Sequence, residues 1–197
     1  MNAPHEQVPG PCGCGAPDPH QRKKIGLLLA LAASSVAPIA NGQGTAVAKP
    51  QPGQRLAIAM GDRAGQELKP ADLVRGEDPV LAYPIDADGK VLSSRINLLA
   101  VLRLREEVLA PDVKPKSVQG IVAYSAVCTH YGCPVTKTDA DKNALVCNCH
   151  GSTFDASKRG VVVVGPATRR LAMLPLSFDG KSLLVAGGFD GPLGPPT

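Results

Sequence analysis

Aromatic side chains are scarce in this sequence: three Phe, three Tyr and no Trp among 197 residues. The net charge is +4, with no long basic run in the body of the chain. A chain so poor in stacking surface and in clustered cations lacks what a nucleic-acid groove needs, and that class of function is set aside. Histidine is scarce too. There are four, and His5 and His20 fall in a polar N-terminal tail, which leaves His130 and His150 for the body. No internal repeat is visible. The longest apolar run, Ile25 to Ala40, is shorter than the ~20 residues of an ordinary membrane span. No apolar run ends in Cys in the manner of a lipid-attachment box. The length suits one medium domain with appendages.

The first appendage is a polar, Pro- and Gly-rich leader, residues 1–24, which ends in Arg22-Lys23-Lys24. The mildly apolar segment 25–40 follows. A basic flank before an apolar run is the pattern of a signal or signal-anchor. It reads first as an uncleaved anchor and second as a cleaved signal, since Ser35-Val36-Ala37 is followed by Pro38. A long polar leader with a mild apolar region resembles twin-arginine signals, with Arg22-Lys23 where paired arginines would stand. Cys12 and Cys14 precede the apolar segment and read as an incidental thiol pair on the reducing side. Residues 41–54, rich in Gly, Ala, Pro and Gln, read as a flexible tether.

From residue 55 the signals are mostly β. Val80 to Ile85 and Lys90 to Leu92 flank the turn Asp86-Ala87-Asp88-Gly89 as a hairpin. Ile121 to Ser125 and Ala144 to Val146 read as strands. Leu171 to Leu176 and Ser182 to Val185 flank a second turn, Ser177 to Lys181. Over Ile96 to Leu109 the alternation of Leu98, Ala100, Leu102 and Leu104 favours a strand, with a helical turn around Arg105 to Leu109. Many short strands between Gly and Pro turns imply an all-β antiparallel sandwich. The tail from Gly187 to Thr197 is Gly/Pro-rich and reads as irregular.

The chemistry lies in two segments. The first is Cys128-Thr129-His130-Tyr131-Gly132-Cys133. The second is Cys147-Asn148-Cys149-His150-Gly151-Ser152. Each pairs one Cys with one His at short spacing and holds one further Cys. Two thiolates with two imidazoles fit a tetrahedral zinc site, but zinc fingers pair Cys with Cys and His with His at their usual spacings. A structural zinc module stays as the non-redox alternative. The same set is the ligand set of a centre in which two His replace two Cys on one iron of a [2Fe–2S] cluster.

Both segments, with Gly165-Pro166-Ala167 downstream, resemble the Rieske family of iron–sulfur proteins in its high-potential, disulfide-containing form. The resemblance implies a Rieske-type antiparallel β-sandwich over 55–197, with a small cluster-binding subdomain at about 122–168. It implies one [2Fe–2S] cluster per chain, with Cys128 and Cys147 on one iron and His130 and His150 on the other. It implies a disulfide between Cys133 and Cys149, a bond that belongs to an oxidising compartment. Ser152 would donate a hydrogen bond to a bridging sulfide. Phe154 stands where quinol-oxidising members carry a sulfur-bonding Tyr, and Tyr131 where they carry Leu at the docking tip. Gly165 and Pro166 resemble the loop that shields the cluster.

By that resemblance the chain is an electron-transfer subunit rather than an enzyme alone. The first reading is the iron–sulfur subunit of a membrane quinol–cytochrome c oxidoreductase, with quinol as donor and cytochrome b/c-type partners. The second is the small subunit of a periplasmic molybdenum oxidoreductase similar to arsenite oxidase, with a molybdopterin-containing partner. A stand-alone periplasmic carrier is the third. All three place the head on the periplasmic side of the inner membrane, or free in the periplasm if the N-terminal segment is cleaved.

Overall fold

The computed structural model describes residues 47–196. The leader (1–24) with Cys12 and Cys14, the apolar segment (25–40) and the first part of the tether (41–46) lie outside the described residues, as does Thr197. Within 47–196 the regular structure is β, with only short 3₁₀ turns between strands. No helix there is long and apolar enough to cross a membrane.

Seven strands form the larger sheet: β1 (Arg55–Ile58), β2 (Val80–Ile85), β3 (Leu99–Arg103), β4 (Ile121–Ser125), β9 (Met173–Leu174), β10 (Leu176–Phe178) and β11 (Leu183–Val185). Their order is β10-β11-β1-β2-β3-β4-β9, and every neighbouring pair is antiparallel. The two outermost strands, β9 and β10, are separated in the chain by Pro175 alone. The sheet therefore curls until its ends approach each other and becomes a near-barrel. Its interior draws on all seven strands, with Leu56, Ala82, Leu99, Ile121, Leu174, Leu176 and Leu183 in one buried cluster. Proline lacks the N–H of a ladder, so it suits a point where the chain leaves one edge for another.

The outer face carries a second core. In β3, Ala100 and Leu102 point away from the barrel interior; in β4, Val122 and Tyr124 do the same, following the period of two along a strand. They pack with Leu145 and Phe154 of the smaller sheet. That sheet has the order β5 (Lys137–Asp139), β6 (Ala144–Cys147), β7 (Ser152–Asp155), β8 (Val161–Val164), again antiparallel. Tyr124 is fully buried, and its hydroxyl donates to the Ala156 carbonyl at 2.7 Å, which ties β4 to the end of β7. Burial pushes this phenol well above its ordinary pKa. A buried tyrosine needs such a partner for its polar end. Cys128 and Cys147 belong to the same core.

The all-β antiparallel architecture expected from the sequence is found. The strand and helical turn expected within 96–109 are β3 and a 3₁₀ turn at Glu106–Val108. The turn at Asp86 to Gly89 is closed by the Asp86 N–H on the Lys90 carbonyl at 2.9 Å. Beyond it, Lys90 to Leu92 makes only a single bridge, Ile85 to Val91, and no full strand. The expected strand Leu171 to Leu176 is divided at Pro175 between β9 and β10.

The end of the segment expected as a tether, 41–54, joins the head. Residues 48–54 are fastened to the head. The Asn97 side-chain amide donates to the Ala48 carbonyl at 2.8 Å, Pro50 is buried, and Gly53 and Gln54 each exchange a 2.8 Å backbone bond with Val185. Backbone groups that join a ladder are not free to act as a linker, so the head begins before residue 55. The tail after Gly187 is irregular, as its Gly and Pro content suggests, but it is tied down at Asp190.

Candidate metal centre

Both ligand segments are the loops of the smaller sheet and its approach. The first leaves β4 at Ser125, whose Oγ accepts the Val127 N–H. It folds back on itself through Gly132 N–H to Cys128 C=O at 2.8 Å and Cys128 N–H to Cys133 C=O at 2.9 Å. Gly132 takes φ +77° at this reversal, where a Cβ would come within 2.9 Å of the Arg95 guanidinium. The second loop is the tip of the β6–β7 hairpin. Cys147 and Ser152 face each other in the ladder, and Gly151 N–H donates to the Cys147 carbonyl at 3.0 Å.

The loops meet at their tips. Cys133 and Cys149 are joined as a disulfide across 16 residues, with Cα atoms 6.5 Å apart. The pairing implied by the resemblance is thus present. The His130 and His150 rings lie 4.8 Å apart, edge to face. Beneath them Cys128 and Cys147 are free and buried. Burial pushes the Cys147 thiol above its ordinary pKa, and Cys128 within hydrogen-bonding reach pushes the same way, while the Cys149 and His150 N–H groups pull it back. The sulfur of Cys147 also lies within 4.8 Å of those of Cys133 and Cys149, but these two are bonded to each other and cannot act as thiolates.

One orphan atom bears on the fit. His130 Nδ1 is buried and has no hydrogen-bond partner among the described residues. A buried imidazole nitrogen left bare is costly unless a hydrogen bond or a metal takes it. Cys128 and Cys147 are buried side by side; protonated they need no partner, but as thiolates they would be stabilised by a cation between them. The donor set fits a soft metal centre at one end and an imidazole-ligated metal at the other.

The remaining residues singled out in the sequence surround this set. Tyr131 is 72% exposed, with its ring 4.2 Å from that of His130 and 6.0 Å from that of His150. Ser152 is buried, and its Oγ accepts the Ala167 N–H at 3.2 Å. Phe154 is enclosed in the outer core. Gly165, at φ +96°, presses on the second loop so closely that a Cβ would stand 2.5 Å from Ser152 Cα. Gly165 to Ala167 thus forms a third wall, with Pro166 exposed at its crest.

Three contributors carried no signal in the sequence. Thr129 is buried between the first Cys and His, and its hydroxyl donates to the Arg169 carbonyl. Arg95 donates to the Gly132 carbonyl. Arg169 reaches the tail at Gly194. Only the position of Thr129 inside the motif could have drawn attention to it.

Comparison with known proteins places this geometry. The model of the Rieske [2Fe-2S] domain matches residues 98–175. A cytochrome bc1 complex Rieske iron-sulfur subunit of Streptomyces lividans is 34% identical over 139 residues, which cover 66% of this chain and 79% of that one. The subunit of the same name from Corynebacterium glutamicum is 41% identical over 105 residues, half of this chain but only 26% of that protein, so the chain spans about a quarter of the length of this relative. A putative respiratory nitrate reductase subunit Rieske of Haloferax mediterranei is 40% identical over 97 residues, 48% of this chain and 43% of that one. The matched stretch begins just before β3 and ends just after β9, so it contains both loops and the Gly165 wall. With that span and the coverage of the Streptomyces relative, the chain belongs to the Rieske [2Fe–2S] family, whose domain binds a [2Fe–2S] cluster.

Proposed function

We propose that this chain transfers single electrons as the iron–sulfur subunit of a membrane quinol–cytochrome c oxidoreductase. In this reading Cys128 and Cys147 hold one iron and His130 and His150 the other. The observation that carries the ligand assignment is the bare, buried His130 Nδ1 beside the His150 ring, with two free buried thiols below. Bound there, the cluster supplies reversible one-electron chemistry in the roughly −150 to +300 mV range, because imidazoles replace two thiolates.

The chain's own residues do the rest. If the buried Nδ1 of His130 held iron, Nε2 would be the nitrogen left to exchange a proton with a donor molecule. Tyr131, exposed beside the His130 and His150 rings, shapes what fits against both imidazoles. The Ser152 hydroxyl accepts from Ala167, and its proton would be available to a sulfur of a bound cluster. Phe154 offers no hydroxyl, so one donor fewer stabilises the reduced state than in members with Tyr there. The disulfide supports an oxidising compartment. The head would therefore work on the periplasmic side, carried by the segments 25–40 and 41–46.

The bc1 names of the Corynebacterium and Streptomyces relatives support cytochrome b/c-type partners; quinol as donor is part of the proposal. The nitrate reductase name of the Haloferax relative supports a second reading, a relay subunit of another respiratory reductase, such as a molybdopterin-containing one. Identification of the subunits that copurify from membranes separates them. A cytochrome b is the expected outcome. A large molybdopterin subunit in its place would contradict the first reading and favour the second.

A further inference from the structure

We propose that the C-terminal segment from Asp190 to Pro195 is a strap that positions the first ligand loop, and that Arg169 is the positioning residue that joins the two. The proposal rests on the reading of that loop as the carrier of Cys128 and His130.

The segment has no strand or helix of its own, yet both its ends are fixed. At the near end one carboxylate gathers four donors. Asp190 accepts from Arg159 at 2.6 Å, Arg170 at 2.8 Å, Lys116 at 2.9 Å and the Met173 N–H at 2.8 Å. Its own N–H donates to the Met173 carbonyl at 2.9 Å, so the strap starts in register with β9. At the far end the strap lies along both sides of the ligand loop. Gly194 is buried, and a Cβ on it would stand 3.5 Å from Val127, the residue before Cys128. Pro195 lies 3.6 Å from where a Cβ of Gly132 would be. Arg95 holds Gly132 from another direction through its carbonyl.

Arg169 connects the two elements with different parts of itself. Its backbone carbonyl accepts the hydroxyl of Thr129, which is 1% exposed between Cys128 and His130. Its Nη2 donates to the Gly194 carbonyl at 2.6 Å. Its Nε is buried without a partner, so among the described residues the bond to Gly194 is what fixes the guanidinium. A displacement of the strap is thereby passed to Thr129, and from Thr129 to the ligands on either side. A tail that merely covered apolar surface would act on the stability of the whole head and would not single out this loop.

The test uses the full chain with Arg169→Ala or Arg169→Lys, and a chain that stops after Pro192, which keeps Asp190 and loses Gly194 and Pro195. Two rates are read: amide exchange at Cys128 and Gly132, whose N–H groups bond within the loop, and reduction of Cys133–Cys149 by dithiothreitol. Neither depends on electron transfer. Arg169→Ala and the shortened chain should raise both rates on the order of tenfold, with exchange in β3 and β4 unchanged. Arg169→Lys keeps one donor for Gly194 and should stay near wild type. Unchanged loop rates, or an acceleration shared equally by β3 and β4, would overturn the strap, as would failure of lysine to restore the loop. If Arg169→Ala does not fold, the shortened chain alone decides. A wild-type chain that binds no iron would speak against the cluster reading and leave the strap result standing.

Discussion

Ser152 is fully buried with the Ala167 N–H already on its Oγ, so the hydroxyl proton is the part of the side chain left to stabilise a reduced cluster. Ser152→Ala should lower the midpoint potential by about 1 kcal/mol, the value of one hydrogen bond, or roughly 40 mV for one electron. Phe154→Tyr should raise it by a similar amount if the added hydroxyl reaches the sulfur of Cys128 or Cys147, which share its core cluster. Phe154 is enclosed, so the new hydroxyl must find an acceptor or be buried unpaired. Voltammetry with a thermal melt separates these outcomes: an unchanged potential with a lower melting temperature would show that the hydroxyl fell short of sulfur. At this scale the candidate ligand set was legible because each Cys–His pair lies within one short loop. Thr129 and Arg95 were not, because their partners stand 40 and 37 residues away in the chain.

Gly165 shows how an element, rather than a ligand, sets the site. Its wall touches the second loop through backbone, with a Cβ position 2.5 Å from Ser152 Cα and φ at +96°. Gly165→Ala therefore combines a left-handed backbone with a steric overlap and should destabilise the head by on the order of 1–3 kcal/mol. It should also move Ser152 away from the cluster, so the potential should fall as in Ser152→Ala. A melt and a voltammogram on the same sample check both, and a normal potential would mean that the wall yields instead of the ligand loop. The strands β3, β4 and β6 could be read from the sequence because apolar runs or alternation fill them. The division of 171–176 at Pro175 could not, because it depends on which edge each half joins. Nor could the fastening of 48–54, which needs Val185 and Asn97 in place.

At the largest scale, the described residues form a near-barrel with the smaller sheet, which carries the candidate ligand loops, on its outer face and a tail pinned at Asp190. Closure of the barrel was hidden in the sequence, since it follows from pairings between distant strands, whereas the all-β class was plain from strand and turn signals. The pin is Asp190. Burial works to raise its pKa, but hydrogen bonds from Arg170, Lys116 and Arg159 outweigh this and hold the carboxyl well below the usual range. A carboxyl so held contributes stability above its unfolded pKa of about 3.9, and the contribution is lost as pH falls through the depressed folded value. Asp190→Asn should cost about 3 kcal/mol at neutral pH, since it strands partly buried cations. Denaturation of both proteins across pH should show that gap full at neutral pH and narrowing below about pH 4. A gap that does not narrow in acid would remove the ion pairs from the account. The claim that all scales serve, a [2Fe–2S] centre held between the two loops, is tested most directly by iron and acid-labile sulfide analysis of the purified chain. The account predicts about two of each per chain, the stoichiometry of a [2Fe–2S] centre. A colourless protein with a single zinc and no labile sulfide would contradict it.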